Sequence, residues 1–449
     1  MTDLTRLRAV LRGGRRARAG PAAPARATSV DLAALATRLG GGLEDAPLGP
    51  CPVVRWWFAD DAPYGDRLSR ASRAISAEGL RVLCGGTGLY APWSGVDPTV
   101  GLLFFDLETT GLRGGAGTVA FVVGFGCFEG SRFHVWQFVL PSFAGERRLL
   151  AAVTAAVARA HTLVTFNGKS FDLPFMEMRW HYHRLDSPLA ALRHVDLLHP
   201  ARRLWGPDTG GLGGLETRVL GVRRQDDVAG FEIPSRYFDY LRSGDPAPLR
   251  GVLSHNRLDL ASLAVLTGLA CELVDAGLDA AGDARQCLGL GRVYECGGRP
   301  ADANGCYERA AASTSGAGGS SWCPGDLDVR AQALYRVASA RRRQRRHVEA
   351  ARVWQELLDL GRTPGLVERE ALRAQAVHHE HRLRDTGRAL TFARRAYAEE
   401  RTACRRLDAQ KRVMRLERRL ASETGSVVGC ERRCASHRRA KTAQSRETS

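Results

Sequence analysis

Between Gly101 and Leu140 the chain carries three short apolar runs, Gly101–Asp106, Ala120–Phe128 and Phe133–Leu140, with Gly-rich turns at Gly114–Gly117 and Glu129–Ser131. Runs this short are strands rather than helices, and turns this close bring successive strands side by side, so the segment is expected to form an antiparallel meander. The period then changes. Glu146–Ala160 has helical spacing, Thr162–Phe166 is a fourth apolar strand, and Phe175–Tyr182, Leu212–Leu220 and Leu249–Leu273 read as helices. A meander followed by alternating helix and strand predicts an α/β fold, a mixed sheet with flanking helices, closing near residue 275.

A chain of 449 residues has room for two or three domains. Residues 1–50 are rich in Arg, Gly, Ala and Pro and read as a basic disordered segment, with a short helix near Val30–Leu39. Residues 51–98 read as a lead-in to the α/β domain at 99–275. Beyond Ala280 only helical patterns occur, over 280–420, so an all-α region follows. Leu290, Gly291 and Tyr294, then Ala303, Tyr307 and Ala310, match the spacing of a tetratricopeptide repeat. A weaker copy runs through Leu334, Ala338, Ala350, Trp354 and Leu357, and a third through Ala389, Ala393 and Ala396. Ser313–Ser321 interrupts the period, and plain helical hairpins would give a similar pattern. Residues 423–449 read as a basic disordered tail.

Charge is uneven. The formal net charge is +17, of which Met1–Arg26 contributes +6 and Ala331–Ser449 +15, leaving −4 for the middle. A basic flank on a slightly acidic body suits a polyanion held by one region and processed by another; a coding bias toward Arg gives the same excess. The run Arg341–Arg346 is the densest basic patch, read either as a nucleic-acid contact or as a solvated helix end. Eleven scattered cysteines without a C-x-x-C pair suggest reduced thiols in a cytoplasmic protein, and Cys430, Cys434 and His437 alone make a poor zinc site. No window approaches 18 uninterrupted apolar residues, so no membrane partner is expected.

Three distant segments bring carboxylates in defined settings. In Phe105–Leu112, Asp106 and Glu108 are two apart at a strand end, so their side chains share a face while Leu107 points to the other. Two carboxylates on one face repel unless a cation lies between them, which suits magnesium or manganese. In Phe166–Pro174, Asn167 and Lys169 lie on a strand-to-helix loop, and Asp172 stands at the helix start. In Ser254–Asp259, His255 and Asp259 are four apart, hence on one helix face, where an imidazole can orient or deprotonate water. Each motif alone is commonplace: a lone D-x-E or H-x-x-x-D is usually a solvated edge or surface pair.

In this order the four carboxylates match the pattern of the DEDD nucleases. The chain resembles the DnaQ-like 3′–5′ exonucleases, and within them the bacterial YprB-type ribonuclease-H-like proteins. The likeness rests on Asp106–Gly126, Thr165–Pro174, Val195–Trp205, Leu215–Val222, Ile233–Asp245 and His255–Leu263, and covers roughly residues 60–275. It implies a ribonuclease-H-like exonuclease that hydrolyses phosphodiester bonds of DNA or RNA, with Asp106, Glu108, Asp172 and Asp259 holding two divalent ions about 4 Å apart. It also implies His255 as the group that orients or activates water. Thr109, Thr110, Gly111 and Leu112, with Asn167, Lys169 and Asn256, would contact the substrate. His255 departs from the family, since it stands at the spacing where the tyrosine subtype keeps its aromatic residue. Asp196 falls where related nucleases keep a structural acid rather than a ligand, and His194, His199, Arg202 and Arg203 are candidate phosphate contacts. A catalytically silent nucleic-acid scaffold recruiting protein partners through its repeats is the alternative, and an endonuclease on the same fold is another.

Overall fold

The computed structural model describes residues 30–59, 64–86, 97–111, 117–206, 210–312, 324–361 and 365–444, with the backbone course only at 324–325 and 424–444. Leu112 and residues 1–29 lie outside this set, as do the side chains of Cys430, Cys434 and His437.

Seven strands form one mixed sheet in the order β1-β2-β5-β4-β3-β6-β7. They are β1 (Gly42–Glu44), β2 (Cys51–Trp57), β3 (Leu102–Thr109), β4 (Ala120–Glu129), β5 (Arg132–Val139), β6 (Thr162–Thr165) and β7 (Arg193–Asp196). The expected meander is β3-β4-β5, antiparallel throughout, and β6 and β7 join beyond β3 in parallel. The sheet reaches further back than the sequence suggests. β2 pairs with β5 through Val53–Trp57, so residues read as a lead-in are sheet; the short helix expected near Val30–Leu39 is α1 (Leu32–Arg38), and β1 follows it within the segment otherwise read as disordered.

The two faces of β3 are sorted by its period of two. Leu103 and Phe105 enter one apolar core together with α4 (Glu146–Ala156) and α5 (Asp172–Tyr182). Leu102 and Phe104 enter the other, which is closed by α2 (Gly65–Ala74), α3 (Ala77–Leu83) and α6 (Leu198–Trp205). Leu107 packs with the first core, which leaves Asp106 and Glu108 on the second face. Between α6 and the end of the domain, Leu212–Leu215 is one α-turn that passes into a π-turn at Glu216–Leu220 rather than the single helix expected. α7 (Ile233–Ser243) follows, and then α8 (Ala247–Ala276), thirty residues laid across the sheet. α8 is apolar and long enough to cross a bilayer, yet two-thirds of its most apolar stretch is buried inside the fold, so its hydrophobicity is that of a core helix.

Among the described residues seven further α-helices follow: α9 (Ala284–Cys296), α10 (Pro300–Ala312), α11 (Pro324–Arg343), α12 (His347–Asp359), α13 (Gly365–His378), α14 (Thr386–Glu399) and α15 (Ala403–Gln444). Consecutive helices pack on one another. Leu290, Tyr294, Ala303, Tyr307 and Ala310 are all buried, and a side chain at Gly291 would strike the Tyr307 ring, so α9 and α10 close tightly. This region is not hung on a linker. Gly289 lies against the Arg203 carbonyl, where a Cβ would come within 2.1 Å, and one apolar core runs from Phe104 through Leu204 to Tyr294 and Trp354. The last helix corrects another expectation, since the chain after residue 422 stays helical to Gln444. Arg341–Arg346 is also not one helical patch. Arg341–Arg343 end α11, Arg345 is left-handed with φ 63°, and Arg346 caps α12 while paired to Glu349.

Candidate active site

Asp106 sits at the sheet centre, opposite Gly124 of β4, which in turn lies opposite Gln137 of β5. Asn256 of α8 fills the space that glycine leaves, since a Cβ on Gly124 would come within 2.2 Å of its Oδ1. Gln137 Nε2 donates to Asn256 Oδ1 at 2.8 Å, and Asn256 Nδ2 donates to Asp106 Oδ2 at 2.7 Å. A carboxylate only accepts, so this chain fixes the amide one way round and holds Asp106 in place. Asn256 is wholly buried, which corrects its expected substrate contact: it positions Asp106 instead. Replacing Gly124 by Ala should therefore expel Asn256 and cost about 1–3 kcal/mol of stability by overpacking. Urea unfolding checks this; a midpoint equal to wild type would show that the pocket gives way freely.

The loop from Phe166 to Phe171 is built around Asp196 at the end of β7. Its carboxylate accepts from the backbone N–H of Asn167 at 2.7 Å, Lys169 at 3.0 Å and Leu198 at 3.1 Å. Asn167 is left-handed, with φ 69°, a conformation its short polar side chain tolerates. The fold this imposes delivers Asp172 as the first residue of α5. Asp196 is thus a structural acid. His194 turns Nε2 to Thr165 Oγ1 at 2.8 Å, and burial, then the nearby Lys169 charge, push it down to about 4. Lys169 and His199 are exposed. Thr109 Oγ1 donates to the Gly111 carbonyl at 2.9 Å, while Thr110 Oγ1 accepts from the Val119 N–H at 3.0 Å, so both hydroxyls shape the turn after β3.

Asp259 and His255 come from α8 into a network that sequence reasoning missed. Arg224 lies in the segment between the π-turn and α7 and pairs with Asp259 and Glu216; its Nη1 also reaches Asp227 at 3.1 Å. Glu216 further accepts from Ser262, whose Oγ lies 2.7 Å from the Tyr64 hydroxyl. Asp227 Oδ1 is 2.8 Å from His255 Nδ1, while His255 Nε2 faces Asp259 Oδ2 at 3.6 Å. The imidazole is therefore held by one carboxylate at Nδ1 and turned toward the other at Nε2, and Asp259 gives one oxygen to Arg224 and turns the other to His255. The only sequence sign of this hub is the i, i+3 pair Arg224 and Asp227, a spacing too common to stand out.

The acids of this face are strained by proximity and burial. Asp106 is pushed well above the usual carboxylate range by burial, then by Asp259 and Asp172. Glu108 is likewise raised by burial, then by Asp106 and Asp259. Burial pushes Asp172 up to about 7. Each of the first two thus feels acids from distant segments, as a cation site requires, and the donor set is all oxygen, which suits a hard divalent ion. Among the described residues no three His, Cys, Asp or Glu side chains are gathered as a metal-holding cluster. Asn256 holds Asp106 by one oxygen, while Asp259 divides its two between Arg224 and His255.

A folded pKa above the unfolded value of about 4 means that the folded state holds its protons more tightly, so stability falls as pH rises. For Asp172 the window runs from about 4 to about 7. Chelator-treated protein should show a Tm that falls between pH 5 and pH 8, and magnesium or manganese should raise Tm more at pH 8 than at pH 5. A cation effect independent of pH in a melting series would contradict this origin.

The fold is that of a ribonuclease-H-like domain, and residues 103–271 match the RNase_H superfamily. Over 165 residues the chain is 42% identical to the uncharacterized protein YprB of Bacillus subtilis (strain 168). That alignment covers 36% of this chain and 40% of YprB, so the chain spans well under half of its relative.

Proposed function

We propose that the protein is a divalent-metal-dependent nuclease of the DEDD type that shortens DNA or RNA from the 3′ end. The observation that carries this reading is that Asp106 and Glu108, on one face of β3, each feel the charge of Asp172 and Asp259, acids delivered by α5 and α8 from two distant segments. These residues would hold two magnesium or manganese ions. When bound, such ions polarise a phosphoryl oxygen and lower the pKa of a coordinated water.

The chain's own groups do the rest. His255, fixed by Asp227, orients the attacking water and takes its proton at Nε2. Arg224 holds Asp259 in place and balances its charge against Glu216. The backbone of Thr109–Gly111 and the side chain of Asn167 position the terminal nucleotide, with Lys169 near the phosphate. The helical region, whose first and second hairpins follow a tetratricopeptide-like spacing, serves as a platform for the substrate or for a protein partner.

The test is a 5′-labelled oligonucleotide panel, single- and double-stranded DNA and RNA, each with a free or blocked 3′ end. Progressive shortening from free 3′ ends only, dependent on magnesium or manganese, is expected. Internal cuts on blocked substrates would move the assignment to an endonuclease.

A further inference from the structure

A groove of about 470 Å³ opens in the helical region, far along the chain from the acids of the sheet. The end of α11, the buried side of α12, α13 and the π-turn His379–Leu383 form its walls. Arg342, Arg373 and Arg382 line it together with His347, His378 and His381. Glu370 is the acid among its lining residues; it lies 4.0 Å from Arg373 and is shared with Arg405. Arg342, Arg382 and His347 have no carboxylate at ion-pair distance among the described residues. The field inside is positive enough to be felt by His378, which burial, then His379, His347 and Arg382, push below its ordinary value.

Trp354, 3% exposed, packs into the wall. Three guanidiniums and three imidazoles, set against Glu370 and the Glu380 that faces His381 Nε2 at 3.5 Å, call for a ligand rich in acceptor oxygens and negative charge.

We propose that this groove binds the phosphodiester backbone of a nucleic-acid strand and so holds the substrate that the acidic face processes. The inference rests on the nuclease reading for the identity of the polyanion, and it gives the helical region a substrate-holding role. Charge favours a nucleic acid over an acidic peptide. The acids of the catalytic face repel a polyanion, and the basic residues of Ala331–Ser449, net +15, supply the attraction that the body, at −4, lacks.

The test uses the full chain in EDTA, where no turnover occurs, and reads fluorescence anisotropy of a labelled 20-nucleotide strand over a range of salt. Replacing Arg342, Arg373 and Arg382 together by Glu should weaken binding by at least about tenfold and lower the salt slope by about 2, three single-strand phosphate contacts at roughly 0.7 each. The three side chains are exposed, so circular dichroism should stay unchanged. An unchanged slope in the triple variant would overturn the proposal, and so would displacement of the strand by polyglutamate as readily as by an unlabelled strand of equal charge. Binding that depends on the groove in a protein that cleaves nothing would leave the groove standing and remove the nuclease reading instead.

Discussion

Asp106→Asn should leave the fold intact and lower the cleavage rate on the order of 10³-fold, the several kcal/mol of charge stabilisation expected of a cation site that has lost its central carboxylate. The substitution keeps the shape of the side chain, and its buried position accepts a neutral group readily, because Asp106 is already pushed toward protonation by burial and by Asp259 and Asp172. Stability at neutral pH should accordingly be equal or higher than wild type in the absence of cations, while activity collapses. That opposite movement marks a functional acid, since a structural one would lose both together. Single-turnover cleavage of a 5′-labelled strand, with a melting curve on the same sample, checks it. Activity within a factor of three of wild type would remove Asp106 from the chemistry.

Arg224→Met should destabilise the domain strongly. The Arg224 side chain is 8% exposed and that of Glu216 3%, and the guanidinium also serves Asp259 and Asp227. Removing it leaves Glu216 buried with only Ser262 as partner, a loss of about 3–5 kcal/mol for a broken buried pair. Arg224→Lys should recover part of this, because a point charge cannot serve carboxylates on two sides as the planar fork does. Urea denaturation of both variants gives the numbers; a loss below about 1 kcal/mol in Arg224→Met would mean that Glu216 is held by something else. Arg224 also links the π-turn to α8, so its loss should loosen His255 and Asp259 together.

The residues that were legible in the sequence are those whose placement follows from a local period. Asp106 and Glu108 share a face because a strand repeats every two residues, and His255 and Asp259 because a helix brings i and i+4 together. Asp172 was legible as a helix start. Asn256 was misread for the opposite reason. Nothing near it in sequence shows that it points at Gly124, so its burial depends on a strand more than a hundred residues away. Glu216, Arg224 and Asp227 sit on a π-turn and the irregular segment after it, where no period constrains side-chain direction, and only the packing against α8 brings them to the site. β2 was missed because Cys51–Trp57 begins with a buried run and ends exposed, without alternation, and its partner β5 lies some eighty residues on. The helix to Gln444 is hidden in the sequence because Arg- and Ser-rich composition masks the Ala, Arg and Glu content that favours a helix.

The central claim is that acids from β3, α5 and α8 share divalent cations, and a manganese titration followed by electron paramagnetic resonance tests it most directly. Two ions per chain, lost in Asp106→Asn and in Asp259→Ala, are predicted. No bound manganese at millimolar concentration, or binding that both substitutions leave untouched, would contradict it.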